Sequence, residues 1–216
     1  MPRTASFSQA MRLLHIFRKT LHVDASWACP DPKHGQLSPM STIIRDSRDN
    51  DIGDISAIFQ HAVRTGTASF ELDPPAIEEM VQRREAIVSK GFPYLIAEID
   101  GQVAGYAYAS TYRARPGYRF TVENSVYVSS TRQGLGIGKQ LLTELVARCE
   151  ADGYRLIVAV IGDSDNKASI GLHGTCGFTH AGLLPGVGWK FGRWLDSVLM
   201  VRVLGPGQPS PPPDGK

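Results

Sequence analysis

Residues 133–139 read QGLGIGK, and they join a strand-like run to an amphipathic helix. The run before them, Ser125-Val126-Tyr127-Val128, is rich in β-formers. Behind them Ile137, Leu141, Leu142, Leu145, Val146 and Cys149 recur as one apolar stripe at helical spacing, which closes at Gly153. A glycine-rich entry into a helix gathers unpaired backbone N–H groups into a nest, a ready site for a pyrophosphate. Glycines 134, 136 and 138 carry no Cβ to keep a ligand away from that backbone. Counting excludes two familiar phosphate loops. A Walker A loop follows Gly-Lys with Ser or Thr, whereas Lys139 is followed by Gln140. A dinucleotide fingerprint counted from Gly136 needs a glycine where Leu141 stands. What remains is Q-x-x-G-x-G on Gln133, Gly136 and Gly138.

The elements around this loop alternate. Residues 42–45 suit a short first strand. Ile52, Ile55, Ile58, Phe59, Ala62 and Val63 then form a helical stripe with Asn50 or Asp51 as its N-cap. Asp73-Pro74-Pro75 opens a second helix, with Glu78 and Glu79 in its first turn and Ile77, Met80, Val81, Ile87 and Val88 as its apolar set. Residues 94–99 and 102–109 flank Asp100-Gly101, the dipeptide of a type I′ hairpin. A fourth strand runs into the glycine loop and its long helix. A fifth strand over 156–161, a short helix over 169–176 and two final strands follow. The order β-α-α-β-β-β-α-β-α-β-β describes one α/β domain with a mixed sheet of about seven strands flanked by helices.

The chain has 216 residues, enough for one domain with a full core, and its 42% hydrophobic and 20% charged residues suit a globular enzyme. A net charge of +2 is too small to call for nucleic acid. No apolar run approaches the ~18 residues of a membrane span, so no membrane partner is expected. Cys29, Cys149 and Cys176 are odd in number and lack metal-ligand spacing, which points to a reducing, cytoplasmic setting and to no metal. Residues 1–40 stand apart from the pattern. Arg3, Arg12, Arg18 and Lys19 precede the first acid, Asp24, and Leu13, Leu14, Phe17 and Leu21 suit a helix face, as in a targeting segment. The favoured alternative is that Met40 is the natural start. The domain then spans 41–204, and the Pro/Gly-rich tail, 205–216, is expected to be disordered.

The Q-x-x-G-x-G loop resembles the acyl-CoA loop of the GCN5-related N-acetyltransferases. After the next strand, Asn166, Ser169, Leu172, His173, Gly177 and Phe178 are similar to that superfamily's N-x-x-A-x-x-L-Y-x-x-x-G-F block. Ser169 replaces its alanine and His173 its tyrosine. Those departures, together with YRFTVENSVYV over 118–128 and VGWKFGRWLD over 187–196, resemble the phosphinothricin and methionine sulfoximine acetyltransferase branch. The resemblance spans roughly 41–204. It implies acetyl-CoA as co-substrate, a small amine as acceptor, and a sheet whose fourth and fifth strands splay apart to admit the pantetheine arm as a pseudo-strand.

Acetyl transfer from a thioester to an amine needs a cofactor held by its phosphates, a polarised carbonyl, a neutral amine and a proton for the leaving thiolate. Gln133, Gly134, Leu135, Gly136, Ile137, Gly138 and Lys139 supply the phosphate nest. Backbone amides of Val126, Tyr127 and Val128 face the thioester, with their side chains free to be core; a preorganised donor on a developing oxyanion is worth ~3–4 kcal/mol. Glu123, an acid just before that segment, is the candidate base for the amine. A sheet-edge acid in solvent is its plain alternative. His173 is the candidate acid for the thiolate, since imidazole exchanges protons near neutrality; the plain alternative is packing. Asn166 and Ser169 suit the pantetheine arm, although Asn166 can also cap the short helix.

Phe70, Arg113, Arg115, Pro116, Gly117 and Tyr118 are the candidate acceptor site, since a zwitterion calls for an arginine fork and an apolar wall. Gly117 departs from the alanine common in that branch. Trp189, Lys190, Phe191 and Trp194 suit either a cover for the site or a homodimer interface. The expected activity is N-acetylation of amino-acid-like amines of the phosphinothricin or methionine sulfoximine and sulfone type, by direct attack in a ternary complex. Alternatives are another acceptor (polyamine, aminoglycoside or protein N-terminus) and a non-catalytic acyl-CoA-binding regulatory module. The paired arginines disfavour cationic acceptors.

Overall fold

The computed structural model describes residues 41–207 together with residues 209 and 211. The targeting or start-site readings of residues 1–40, and Cys29 with them, lie outside the described residues. In chain order the elements are β1 (Ile43–Asp46), α1 (Ile52–Thr65), α2 (Ile77–Val88), β2 (Tyr94–Ile99), β3 (Gln102–Thr111), β4 (Thr121–Val128), α3 (Ile137–Ala151), β5 (Leu156–Gly162), α4 (Lys167–Thr175), β6 (Thr179–Lys190) and β7 (Arg193–Val203). They build one 7-stranded sheet in the order β1-β2-β3-β4-β5-β7-β6. All neighbours are antiparallel except β4 and β5, which are parallel and linked through α3. The expected element order and mixed sheet are both present.

The hairpin between β2 and β3 turns on Asp100 and Gly101, both at positive φ (51° and 76°), as a type I′ turn requires. The six apolar residues of the α3 stripe are all buried, each contributing roughly 1.5–3 kcal/mol relative to exposure. They form one core layer with β2–β5, β7 and Phe178, while α1 and α2 close the opposite face with Ile55, Phe59, Met80, Tyr94 and Tyr106. The sheet is thus covered on both faces, and its middle strands look onto two separate layers.

Two local expectations differ. Asp51 occupies the N-cap position of α1, as expected, but its side chain makes no capping bond: its carboxylate takes two bonds from the Arg45 guanidinium, at 2.7 and 2.8 Å, and one from the Arg48 N–H at 2.7 Å. A paired arginine competes for the carboxylate more strongly than a backbone amide does. The second helix begins at Ile77, after the prolines, and Ile77 and Val88 are 43% exposed. Met80 and Ile87 carry its apolar contact, beside Arg84, whose buried guanidinium bonds the Ser47 hydroxyl, the Ser47 carbonyl and Asp49. At the far end the Gly205 N–H donates to Glu150 at 3.0 Å, and Arg155 donates to the Pro211 carbonyl at 3.3 Å.

Candidate active site

The β4–β5 ladder runs from Thr121↔Leu156 to Asn124↔Ala159 and stops there. Each strand continues on its other side: β4 stays paired with β3 as far as Val128↔Gly105, and β5 with β7 as far as Gly162↔Ser197. Residues 125–128 and 160–162 therefore border a wedge-shaped gap. A cavity of about 260 Å³ occupies it, bounded by Glu123, Asn124, Ser125, Val126, Tyr127, residues 159–162, Asn166, Ser169, His173, Ser197 and the segment 68–70. Strand alternation sends Glu123, Ser125 and Tyr127 to one face and Asn124, Val126 and Val128 to the other. Tyr127 packs edge-on to Phe59 and stacks on Tyr106, in the α1/α2 layer. Val126 and Val128 pack in the α3 layer. The gap is thus a passage between the two faces of the sheet.

The glycine loop adjoins the α3-side mouth of this passage. Gly134 and Gly136 both have φ 77°, and a Cβ at either would meet nothing within 4 Å. Gly136 is the N-cap of α3, and with no capping side chain its neighbouring N–H groups are left open to a ligand. Gly138 also has a packing role. A Cβ there would lie 3.2 Å from Leu172 and 3.6 Å from Val128, so its absence lets α3 approach α4 and the end of β4. At that position the missing Cβ serves packing as well as any approach of a ligand to the backbone. Gln133, Leu135 and Lys139 are exposed, whereas the Ile137 side chain is core and only its main chain faces the loop. The Asn166 side chain accepts from the Ser169 N–H at 3.1 Å, which makes it the N-cap of α4.

Glu123 and His173 lie on opposite faces of β4 and reach the same cavity. Burial raises the Glu123 pKa above the ordinary carboxylate value, and the Arg113 guanidinium offsets part of that rise. His173 is buried, with its Phe178 neighbour edge-on at 5.0 Å. Burial pushes its pKa below the usual imidazole range, opposed by its bond to the Ser169 backbone.

Phe70 belongs to the connection between α1 and α2, and two glycines make room for its ring. A Cβ at Gly188 would lie 2.6 Å from the ring, and one at Gly162 would lie 3.0 Å from it. The same connection is held down by Lys190, whose buried ammonium donates to the carbonyls of Gly66 (3.0 Å) and Ser69 (2.7 Å). Burial lowers the Lys190 pKa, with the Glu71 carboxylate acting the other way.

Arg113, Arg115, Pro116, Gly117 and Tyr118 lie on the exposed β3–β4 connection, and Arg113, Arg115 and Tyr118 border a separate depression. Arg113 stands over the Tyr112 ring at 5.1 Å, and its charge reaches Glu123. This group does not line the cavity that holds Phe70 and Glu123. The structure therefore gathers Phe70, Glu123, Val126, Tyr127, Asn166, Ser169 and His173 at one place and leaves the arginine pair beside it. Sequence reasoning did not single out Asn124, Ser125 and Gly162, for which a polar pair inside a β run and a glycine ending an apolar strand were the available signals. Lys190, read there with its aromatic neighbours as a cover or an interface, holds the α1–α2 connection.

Comparison with known proteins agrees with this arrangement. Residues 56–178 match the Acetyltransferase (GNAT) family. The phosphinothricin N-acetyltransferase of Alcaligenes faecalis is 50% identical over 177 residues, 82% of this chain and 90% of the relative. The L-methionine sulfoximine/L-methionine sulfone acetyltransferase of Pseudomonas paraeruginosa is 42% identical over 80% of this chain and 100% of its own. Among solved structures, a GNAT superfamily phosphinothricin acetyltransferase from Sinorhizobium meliloti in complex with AcCoA superposes with a TM-score of 0.79 at 44% identity, covering 82% of this chain and 95% of that one. With a family match across more than half its length and relatives this similar across nearly all of the described fold, the chain belongs to the GNAT acetyltransferase family.

Proposed function

We propose that this enzyme acetylates the primary amine of small amino-acid-like acceptors, with phosphinothricin and methionine sulfoximine or sulfone as the leading candidates. The observation that carries the reading is the passage between β4 and β5, which joins an acceptor side holding Glu123 and Phe70 to a cofactor side holding the α3 entry. The residues present suit acetyl-CoA: left-handed glycines with open space above them for its phosphates, and a strand edge at 126–128 with no partner strand on the gap side. Bound there, acetyl-CoA supplies an activated acetyl thioester.

Glu123 holds the position to take a proton from the incoming ammonium, and its raised pKa brings it closer to neutrality than a solvated carboxylate. The Ser129 N–H donates to Ala104 of β3, so by strand alternation the Tyr127 N–H also turns to β3 and only the amides of Val126 and Val128 point donors into the gap, while His173 exchanges the proton that the thiolate requires. Asn166 and Ser169 border the pantetheine path. Phe70 forms the apolar wall, and Arg113 and Arg115 stand close enough outside to draw in and retain an acidic substrate.

The edge strand β6 and its partner β7 expose Leu183, Leu184, Val187, Trp189 and Trp194, an apolar face of the kind that pairs two copies. The enzyme is on this reading a homodimer; sedimentation showing only monomer at micromolar concentration would remove that part. Among the described residues no helix is long and apolar enough to cross a membrane, and the free buried thiols Cys149 and Cys176 suit a cytoplasmic enzyme. The activity is tested by free-thiol release from acetyl-CoA across an acceptor panel. Phosphinothricin or methionine sulfoximine should exceed polyamines and aminoglycosides in kcat/KM by at least tenfold. A panel led by a cationic acceptor would overturn the substrate assignment, and CoA binding without turnover on any amine would reduce the protein to a binding module.

A further inference from the structure

Both ring nitrogens of His173 are engaged, and with the Asn124 carboxamide oriented as it is their partners assign its proton to one of them. Nδ1 lies 2.8 Å from the carbonyl oxygen of Ser169, one turn back on α4. A carbonyl only accepts, so Nδ1 carries a hydrogen. Nε2 lies 3.0 Å from the side-chain nitrogen of Asn124. An amide nitrogen only donates, so Nε2 presents its lone pair. The ring is thus neutral at rest, with its single proton on the nitrogen facing Ser169.

The surroundings favour that state. Glu123 is the ionisable neighbour from β4, and it projects to the other face of the sheet. The end of α4 contributes the buried thiol of Cys176, and β5 and β7 bring Ala159, Ile161 and Ser197 to the shared cavity. Burial is the larger influence on the ring, the Ser169 bond is the smaller one, and no charged side chain joins them.

Asn124 shows what the neutral state costs. Its Oδ1 is buried without a hydrogen-bond partner. Reversing the carboxamide would set Oδ1 against the Nε2 lone pair, which is unfavourable for a neutral ring. The same reversal suits a protonated ring, because Nε2–H could then donate to Oδ1. The two orientations of one carboxamide thus match the two proton states of one imidazole.

We propose that Asn124 is a positioning residue that sets the proton state of His173, holding Nε2 as an acceptor at rest and reversing to accept from Nε2–H after the ring takes up a proton. The inference rests on His173 being the proton-exchanging group of the proposed reaction. It reverses the order of events on that side chain: resting His173 has no proton on Nε2 to release, so it must first receive one. Proton balance in the transfer supplies it. The acceptor ammonium loses two protons as the N–C bond forms and the C–S bond breaks. Glu123 takes the first and passes it to solvent; the Asn124 carboxamide turns off the single Nε2 lone pair, which then takes the second from the attacking nitrogen and returns it to the departing sulfur.

The test is a pH titration of the ¹⁵N-imidazole signals of the full chain without substrates. Wild-type His173 should be in the Nδ1–H neutral form at pH 7, with a pKa below the usual ~6.5. Asn124→Asp sets a carboxylate on Nε2 and should raise that pKa by at least one unit, the direction in which a neighbouring opposite charge acts. The same variant should move the matching limb of kcat against pH by a similar amount. Asn124→Leu removes the donor and should lower kcat while leaving the KM for acetyl-CoA within about twofold. A proton on Nε2 in the wild-type spectrum at pH 7 would overturn the inference, whatever the variants do. An unchanged His173 pKa in a cooperatively melting Asn124→Asp protein would do the same. Full turnover by His173→Phe would remove the histidine from the reaction while leaving the tautomer assignment intact, so the two failures are distinguishable.

Discussion

At the scale of single residues, Glu123 is set by two opposed influences, and one of them can be removed alone. Burial raises its pKa, and the exposed Arg113 lowers it. A base works only when deprotonated, so activity should fall as pH drops through a pKa that lies above the ordinary carboxylate value. Arg113→Ala deletes the influence that favours the carboxylate, so the acid limb of kcat/KM should move to higher pH, by about half a unit if screening by solvent is typical of exposed charges. An acid limb that moves down, or stays while acceptor KM alone rises, would confine Arg113 to substrate attraction. The roles of the loop glycines separate in the same residue-by-residue way. Gly134 and Gly136 are needed for their left-handed backbone, and Gly138 for its missing Cβ against Leu172.

Among the elements, the decisive contact ties the α1–α2 connection to the β6–β7 hairpin. Lys190 donates to Gly66 and Ser69, and the ring of Phe70 rests over Gly188. Lys190→Met keeps the length of the stem and removes the donors, leaving two carbonyls without their bonds. Stability should fall by roughly 1–3 kcal/mol, the usual cost of stranding a buried polar group, and acceptor KM should rise about fivefold or more with the KM for acetyl-CoA unchanged. Gly188→Ala reaches the same wall by displacing Phe70 and should raise acceptor KM without touching the ammonium. Equal changes in both KM values would show that the clamp supports the whole domain and not the acceptor side. Periodicity made the sturdier elements legible: the α3 stripe and the Asp100-Gly101 turn stand where spacing and turn chemistry put them. The second helix was less legible because Arg84 is buried within its core-facing set by partners from residues 47–49, a long-range pairing that no local pattern contains.

For the whole molecule, the order of strands follows from alternating helix and strand signals, but the gap that makes the site does not. Residues 121–128 read as one continuous β run, and nothing in them marks Asn124 as the last residue paired with β5. The resemblance of the glycine loop and the 166–178 block to a known family supplied that expectation, and the ladder between β4 and β5 bears it out. Loop direction was equally hidden: residues 113–118 are close to Glu123 in sequence, yet their depression is separate from the cavity. On the proposed reading the sheet is a partition, with the acceptor and its base on one side, the cofactor on the other and transfer through the opening. The most direct measurement is turnover against pH for Glu123→Gln at saturating acetyl-CoA. Glutamine keeps the shape and the hydrogen bonds but removes the base, so turnover at neutral pH should fall by ~10²–10⁴-fold with CoA affinity nearly intact. The deficit should shrink as pH rises toward the acceptor's amine pKa, where solvent can take the proton instead. Near-normal turnover across the whole pH range would contradict Glu123 as the base and the partition built around it.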